Sequence, residues 1–254
     1  MAVFAGVVVF GYISFERSKA NRESLRQLAK SIRQENDQLS GSIKAGNVNQ
    51  WEAASGRLKD QLGQAGSQMG GLEGAETRAL SKFLANLQAR LHAYTVAANR
   101  LQQAKILSWN LETRAMLDTN RQIVRDFLAS NERLGDAEAH DADLLRAEYD
   151  TEKVPAHIRD SLVEAYAKRA AALHPLQMEV RLSDRTQGEN ALAVFDLLEA
   201  NWGKWTRNAT TGRLDFENPT VLDAFNDCVN KIREADAEGR KAEEEMRARA
   251  KARR

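Results

Sequence analysis

Three prolines in 254 residues leave few places where the backbone is forced to break, so long helices are permitted almost everywhere. One cysteine, Cys228, excludes an internal disulfide and with it any small disulfide-stapled scaffold. Both the cytosol and a periplasm tolerate a lone thiol. Charge of one sign is missing too. Lys and Arg number 37 against 36 Asp and Glu, a formal net charge of +1, so the surface as a whole is not tuned to nucleic acid. Aromatic residues supply only 6% of the chain. With abundant Ala, Leu, Glu, Gln, Lys and Arg, this composition favours helices and coiled coil over a compact mixed fold.

Catalytic signatures are scarce. His92, His140, His157 and His174 belong neither to an HExxH pattern nor to the Glu-x-x-His pattern of di-iron bundles. His140 sits among Glu138, Asp141 and Asp143, but neighbours one and two apart on a helix point in different directions and do not converge on an ion. Cys228 has no histidine near it in sequence and reads as a small hydrophobe on a helical stripe. Gly63 to Gly74 lacks the Lys-Ser/Thr ending that phosphate cradling needs. The sequence therefore predicts no enzyme, no cofactor and no metal. The competing expectation is an enzyme or cofactor protein whose site assembles from distant helices.

What the chain does have begins at its first residue. "MAVFAGVVVFGYISF", residues 1–15, carries no charge. As a helix it covers about 22 Å, against about 30 Å of hydrocarbon. Arg17 and Lys19 can snorkel while the bilayer thins locally. The run predicts a membrane anchor. The alternatives are a start lying further upstream, a cleaved signal with a small-residue site at Ser18–Ala20, or an ordinary buried core segment. Basic residues following the run (Arg17, Lys19, Arg22, Arg26) favour a cytoplasmic body by the positive-inside tendency. A single anchor ahead of a long soluble body favours the opposite side, and an extracytoplasmic body, periplasmic in a bacterial cell, is the expectation taken here.

Helical stripes follow. Leu80, Leu84, Leu87, Leu91, Tyr94, Ala98 and Leu101 alternate steps of four and three, a heptad seam. Continuing that register would bury Lys105 and Glu112, so it must shift, and Trp109, Met116, Ile123, Phe127 and Leu134 form a second register. Val48, Trp51, Ala54, Leu58 and Leu62 make an earlier stripe, joined to the seam through a glycine-rich turn at 63–74. The domain expectation is an anchor at 1–15, a long helical hairpin or coiled coil over 16–135, a smaller helical region over 136–232, and a charged helix or tail at 233–254. Thr186 and Glu189 have capping-box spacing and predict a helix start.

"NWGKWTRNATTGRLDFENPT", residues 201–220, departs from all of this. Gly203 suits a left-handed helix end, two short alternating runs flank a turn, and Asn218-Pro219 can open the last helix. A hairpin over 204–216 is expected, with Asn208, Thr210 and Thr211 at its tip as possible partner contacts. The tail offers Arg247, Arg249, Lys251, Arg253 and Arg254 as a possible anionic-lipid or nucleic-acid contact. No aromatic side chain is interleaved for base stacking, so nucleic acid is disfavoured.

The fold expected is thus all-α: an elongated helical bundle or antiparallel coiled coil with one small β-hairpin, behind an N-terminal transmembrane anchor. Its function is expected to be interaction, as an envelope scaffold, spacer or sensory ectodomain. Its partners would be the membrane, an unidentified protein and possible further copies of itself.

Overall fold

The computed structural model describes residues 48–109, 111–208 and 210–252; the apolar run at 1–15 lies outside them. Seven α-helices and one two-stranded sheet make up the described part. They are α1 (Val48–Gln68), α2 (Gly71–Gln103), α3 (Arg114–Ala139), α4 (Asp141–Thr151), α5 (Ala156–Ala170), α6 (His174–Ala200), β1 (Trp205–Arg207), β2 (Leu214–Phe216) and α7 (Pro219–Ala252). The described part is mostly helical, as the composition implied, with the small antiparallel hairpin that the 201–220 stretch implied. Among the described residues no helix is long and apolar enough to cross a membrane.

These residues fall into two compact units. The first takes 48–92 and 136–175, the second 93–135 and 176–252. In the first, the stripes of α1 and α2 are buried as their spacing requires: Leu58, Leu62, Leu80, Leu84, Leu87 and Leu91 all belong to the core. The turn between them is narrower than the glycine-rich stretch implied, because α1 runs on to Gln68. Gly71 takes a positive φ of 67°. Gly74 has no room for a side chain: a Cβ there would sit 2.0 Å from the Met69 carbonyl oxygen. Phe83 meets Tyr166 edge-on at 5.6 Å, and the Tyr166 hydroxyl donates to Asp141 Oδ2 at 2.6 Å. Helix α4 ends in a Schellman turn, with Val154 N–H on the Tyr149 carbonyl and Lys153 N–H on that of Asp150. Lys153 there has a positive φ of 58°.

Glu152, at the end of α4, ties this unit together. It accepts from Arg78 Nε at 2.7 Å and from Lys82 Nζ at 2.6 Å, while Arg78 also donates to the Gly66 carbonyl at 2.8 Å. Lys82 first, and then Arg78, hold the Glu152 carboxyl below its ordinary range. A depressed carboxylate contributes stability above the unfolded value of about 4.3 and loses it as pH falls through the folded one. Glu152→Gln is therefore expected to cost about 1 kcal/mol near neutrality, discounted because both cations are partly exposed. The penalty should vanish in denaturant titrations run well below pH 4. A pH-independent penalty would show that lost packing, and not the ion pairs, is responsible.

In the second unit the seam continues through Tyr94 and then breaks. The register shift expected after Leu101 takes the form of a break in the helix. Helix α2 stops at Gln103, a single 3-10 turn spans Ile106–Ser108, and Lys105 and Trp109 on either side of it both take left-handed φ, 48° and 50°. Trp109 is nevertheless buried, edge-on to Phe195 at 6.0 Å and Phe225 at 5.6 Å. The second register holds at Trp109, Ile123, Phe127 and Leu134, but Met116 is exposed and Leu117 takes the buried place.

Two further expectations are corrected here. Thr186 and Glu189 lie inside α6, which begins at His174, so they start no helix. Glu189 pairs with Arg185, and the Thr186 carbonyl accepts from Asn190. The segment at 233–254, expected as a charged helix or tail with no buried face, continues α7 to Ala252 and buries Ala235, Ala242 and Met246. Gly239 keeps that face flat where it meets α6; a Cβ there would lie 2.5 Å from Ser183 Oγ.

Candidate functional site

The hairpin forms where the sequence places it. Trp205 pairs with Phe216, Thr206 with Asp215 and Arg207 with Leu214. Alternation sends Leu214 inward and Asp215 outward. An isolated hairpin of this size is marginal, and aromatic contacts anchor this one. Trp202 and Trp205 stack edge-on at 5.4 Å, the Trp205 indole donates to the Leu198 carbonyl at 3.0 Å, and Phe216 packs on Phe225 at 5.2 Å. Gly203 has the expected positive φ, 84°, and Asn218 Oδ1 caps the last helix by accepting from Thr220 N–H at 2.9 Å.

At the hairpin tip, the Asn208 side chain is committed to its own turn. Its Oδ1 accepts from both Thr210 and Thr211 N–H at 3.0 Å, and the Thr211 hydroxyl accepts from Arg213 N–H. Thr210 and Thr211 remain exposed. The tip is a structured corner whose Asn208 carbonyl oxygen is spent on its own turn. On the tail, Arg247 pairs with Glu243 and Arg249 with Glu245, each one turn earlier, so part of its positive charge is already compensated. Lys251 belongs to α7, while Arg253 and Arg254 lie outside the described residues.

His140 is exposed, and its Nδ1 lies 2.9 Å from the Asp136 carbonyl within its own helical turn. Among the described residues no three His, Cys, Asp or Glu side chains gather in a way that could hold a metal ion. Cys228 is half-buried; burial first, and Asp227 next, raise its thiol above the ordinary range, which disfavours the thiolate.

A more informative feature lies in the second unit and has no linear signature. A cavity of about 700 Å³ opens among α2, the 3-10 turn, α3, α6 and α7. Its apolar wall is built from Ala98, Leu101, Ile106, Val124, Ala191 and Ile232. Gly188 completes that wall because α3 and α6 approach so closely that a Cβ on it would lie 2.6 Å from Leu128 Cδ2. The polar rim carries Gln102, Lys105, Ser108, Gln187, Asp236 and Arg240. Asp236 and Arg240 neutralise each other across one turn of α7 at 2.6 Å. The volume falls in the range typical of small-molecule sites, and so does the mixture of apolar wall and few polar groups.

The same unit buries a polar network. Tyr94 donates to Asp184 Oδ2 at 2.8 Å. The Arg181 guanidinium lies over the Tyr94 ring at 4.3 Å and 3.5 Å from Asp184. Arg181 Nη1 donates to Asn131 Oδ1 at 3.0 Å, and Asn131 Nδ2 returns a bond to the Arg181 carbonyl at 2.8 Å. Burial pushes both the Asp184 carboxyl and the Tyr94 hydroxyl above their ordinary values, with Arg181 opposing the shift in each. Three helices are thereby pinned by one set of reciprocal bonds.

Fold and site define a helical-bundle unit with a small hairpin and a ligand-sized cavity. No family model matches the chain, and neither a curated protein nor a solved structure matches it.

Proposed function

We propose that this is a membrane-anchored helical-bundle protein that acts by non-covalent binding, a sensory or ligand-responsive body more than a passive spacer. The observation that carries the choice is the cavity of about 700 Å³ within the second unit. It joins an apolar wall to a rim of exposed and half-buried polar residues, the ordinary form of a small-molecule site, whereas a spacer needs filled seams. An opening of this size beside two left-handed non-glycine residues is costly to keep in a purely structural bundle. The uncharged run at 1–15 supports the anchor, and the heptad seam supports helix-on-helix packing as the basis of the bundle. The body is placed on the extracytoplasmic side, where a ligand would reach it directly.

Fractionation of cells expressing the full chain tests the anchor. The protein is expected in the membrane pellet, resistant to high salt and released by detergent. Recovery of the intact chain in the soluble fraction would overturn the anchored reading.

A further inference from the structure

We propose that the cavity of the second unit binds a small organic monocarboxylate, its apolar body against Leu101, Ile106, Val124 and Ile232 and its carboxylate at Lys105. This deepens the ligand-binding function proposed above and rests on it. The charge at the rim carries the assignment. Asp236 and Arg240 cancel by pairing with each other. Among the described residues lining the cavity, that leaves Lys105 as the cation with no ion pair. One uncommitted positive charge above an apolar wall complements one negative charge on an apolar ligand, and a dianion would be left half-neutralised. Gln102 and Ser108, both exposed on the same rim, add an amide and a hydroxyl donor for the second carboxylate oxygen.

The backbone gives independent support. Lys105 holds φ 48° and ψ 41° immediately before the 3-10 turn, and Trp109 repeats the left-handed geometry immediately after it. Side chains bearing a Cβ adopt this region reluctantly, and Gly or Asn fits it better. Such outliers cluster where a binding site over-determines the local structure. The strained turn places Lys105, Ile106 and Ser108 together on the cavity lining, so a single local distortion supplies both cation and wall.

The test uses the full chain in a membrane mimetic and three probes with the same apolar body: phenylbutyrate, phenylbutyramide and phenylbutylamine. Binding is read by calorimetry, with the Ala98→Phe variant as the filled-cavity control. Phenylbutyrate is expected to bind best, the amide about fivefold more weakly and the amine more weakly still. Lys105→Asn tolerates the left-handed backbone and removes the charge, so it should bring phenylbutyrate down to the level of the amide with the helical spectrum unchanged. Equal binding of all three probes, or an unaltered phenylbutyrate affinity in Lys105→Asn, overturns the carboxylate assignment and leaves the ligand-binding function standing. Binding of none of the three, or binding that survives Ala98→Phe, overturns both.

Discussion

Arg181→Ala is expected to lower the stability of the second unit by about 3–5 kcal/mol at neutral pH, the range for stripping one partner from a buried charge pair. Arg181 is 5% exposed, so its loss leaves the Asp184 carboxylate without its cation. Asn131 Oδ1 loses a donor and the Tyr94 ring loses its stacked guanidinium. Three helices feel the change at once. Adding Asp184→Asn should recover part of the loss, since an ion pair replaced on both sides leaves no orphaned charge.

The pH dependence fixes the cause. Burial raises the Asp184 carboxyl, with Arg181 the leading opposing influence. A raised folded value means that the carboxyl's contribution is fully present below the unfolded value of about 3.9 and is lost as pH rises through the folded one. Removing Arg181 pushes that folded value up further. The cost of Arg181→Ala should therefore be smallest below about pH 4 and grow as pH rises toward neutrality. Urea titrations at the two ends of that window measure it. A cost that is the same at both ends would assign the loss to packing alone.

Much of this molecule was legible in its sequence because much of it is local. A Leu at every third and fourth position of α2 buries whichever neighbour covers it, so the seam from Leu80 to Tyr94 needed no tertiary information. The hairpin was equally plain, since Asn208, Gly212 and Asn218-Pro219 carry their turn and cap chemistry in the side chains themselves. The failures share a physical form. Thr186 and Glu189 are spaced for a capping box, but the same residues are tolerated mid-helix when α6 is held by packing on both sides of them. Ala235, Gly239 and Ala242 continue the stripe of α7, and a rule that looks for large apolar residues misses small ones serving close helix contact. Lys105 in a core position announced that the register must shift, but neither Lys105 nor Trp109 has a propensity for the left-handed region, so the form of the break between α2 and α3 was not announced. The cavity was illegible for the strongest reason: its lining comes from four helices and one turn that only the fold brings together.

That break explains why Phe195 is expected to be a highly sensitive apolar position of the second unit. Phe195 is fully buried, in one cluster with Ile106, Trp109, Val124, Leu198, Leu214 and Phe225. Trp109 is held in its left-handed conformation by edge-on contacts with Phe195 and Phe225, and Phe225 in turn supports Phe216 of the hairpin. Phe195→Ala should cost about 3–5 kcal/mol, the sum of lost transfer energy and an unfilled hole. Phe195→Leu, closer in volume, should cost no more than about 1.5 kcal/mol. The two variants should also differ spectroscopically. Without the ring against it, Trp109 loses the contact that compensates its backbone strain, and the near-ultraviolet circular dichroism of the tryptophans should weaken before the helical signal does. Ile106 belongs both to this cluster and to the cavity wall, so the strained turn and the cavity should loosen together. A Phe195→Ala protein with less than 1 kcal/mol of destabilisation and an unchanged tryptophan signal would show that the turn is held by something other than the aromatic cluster.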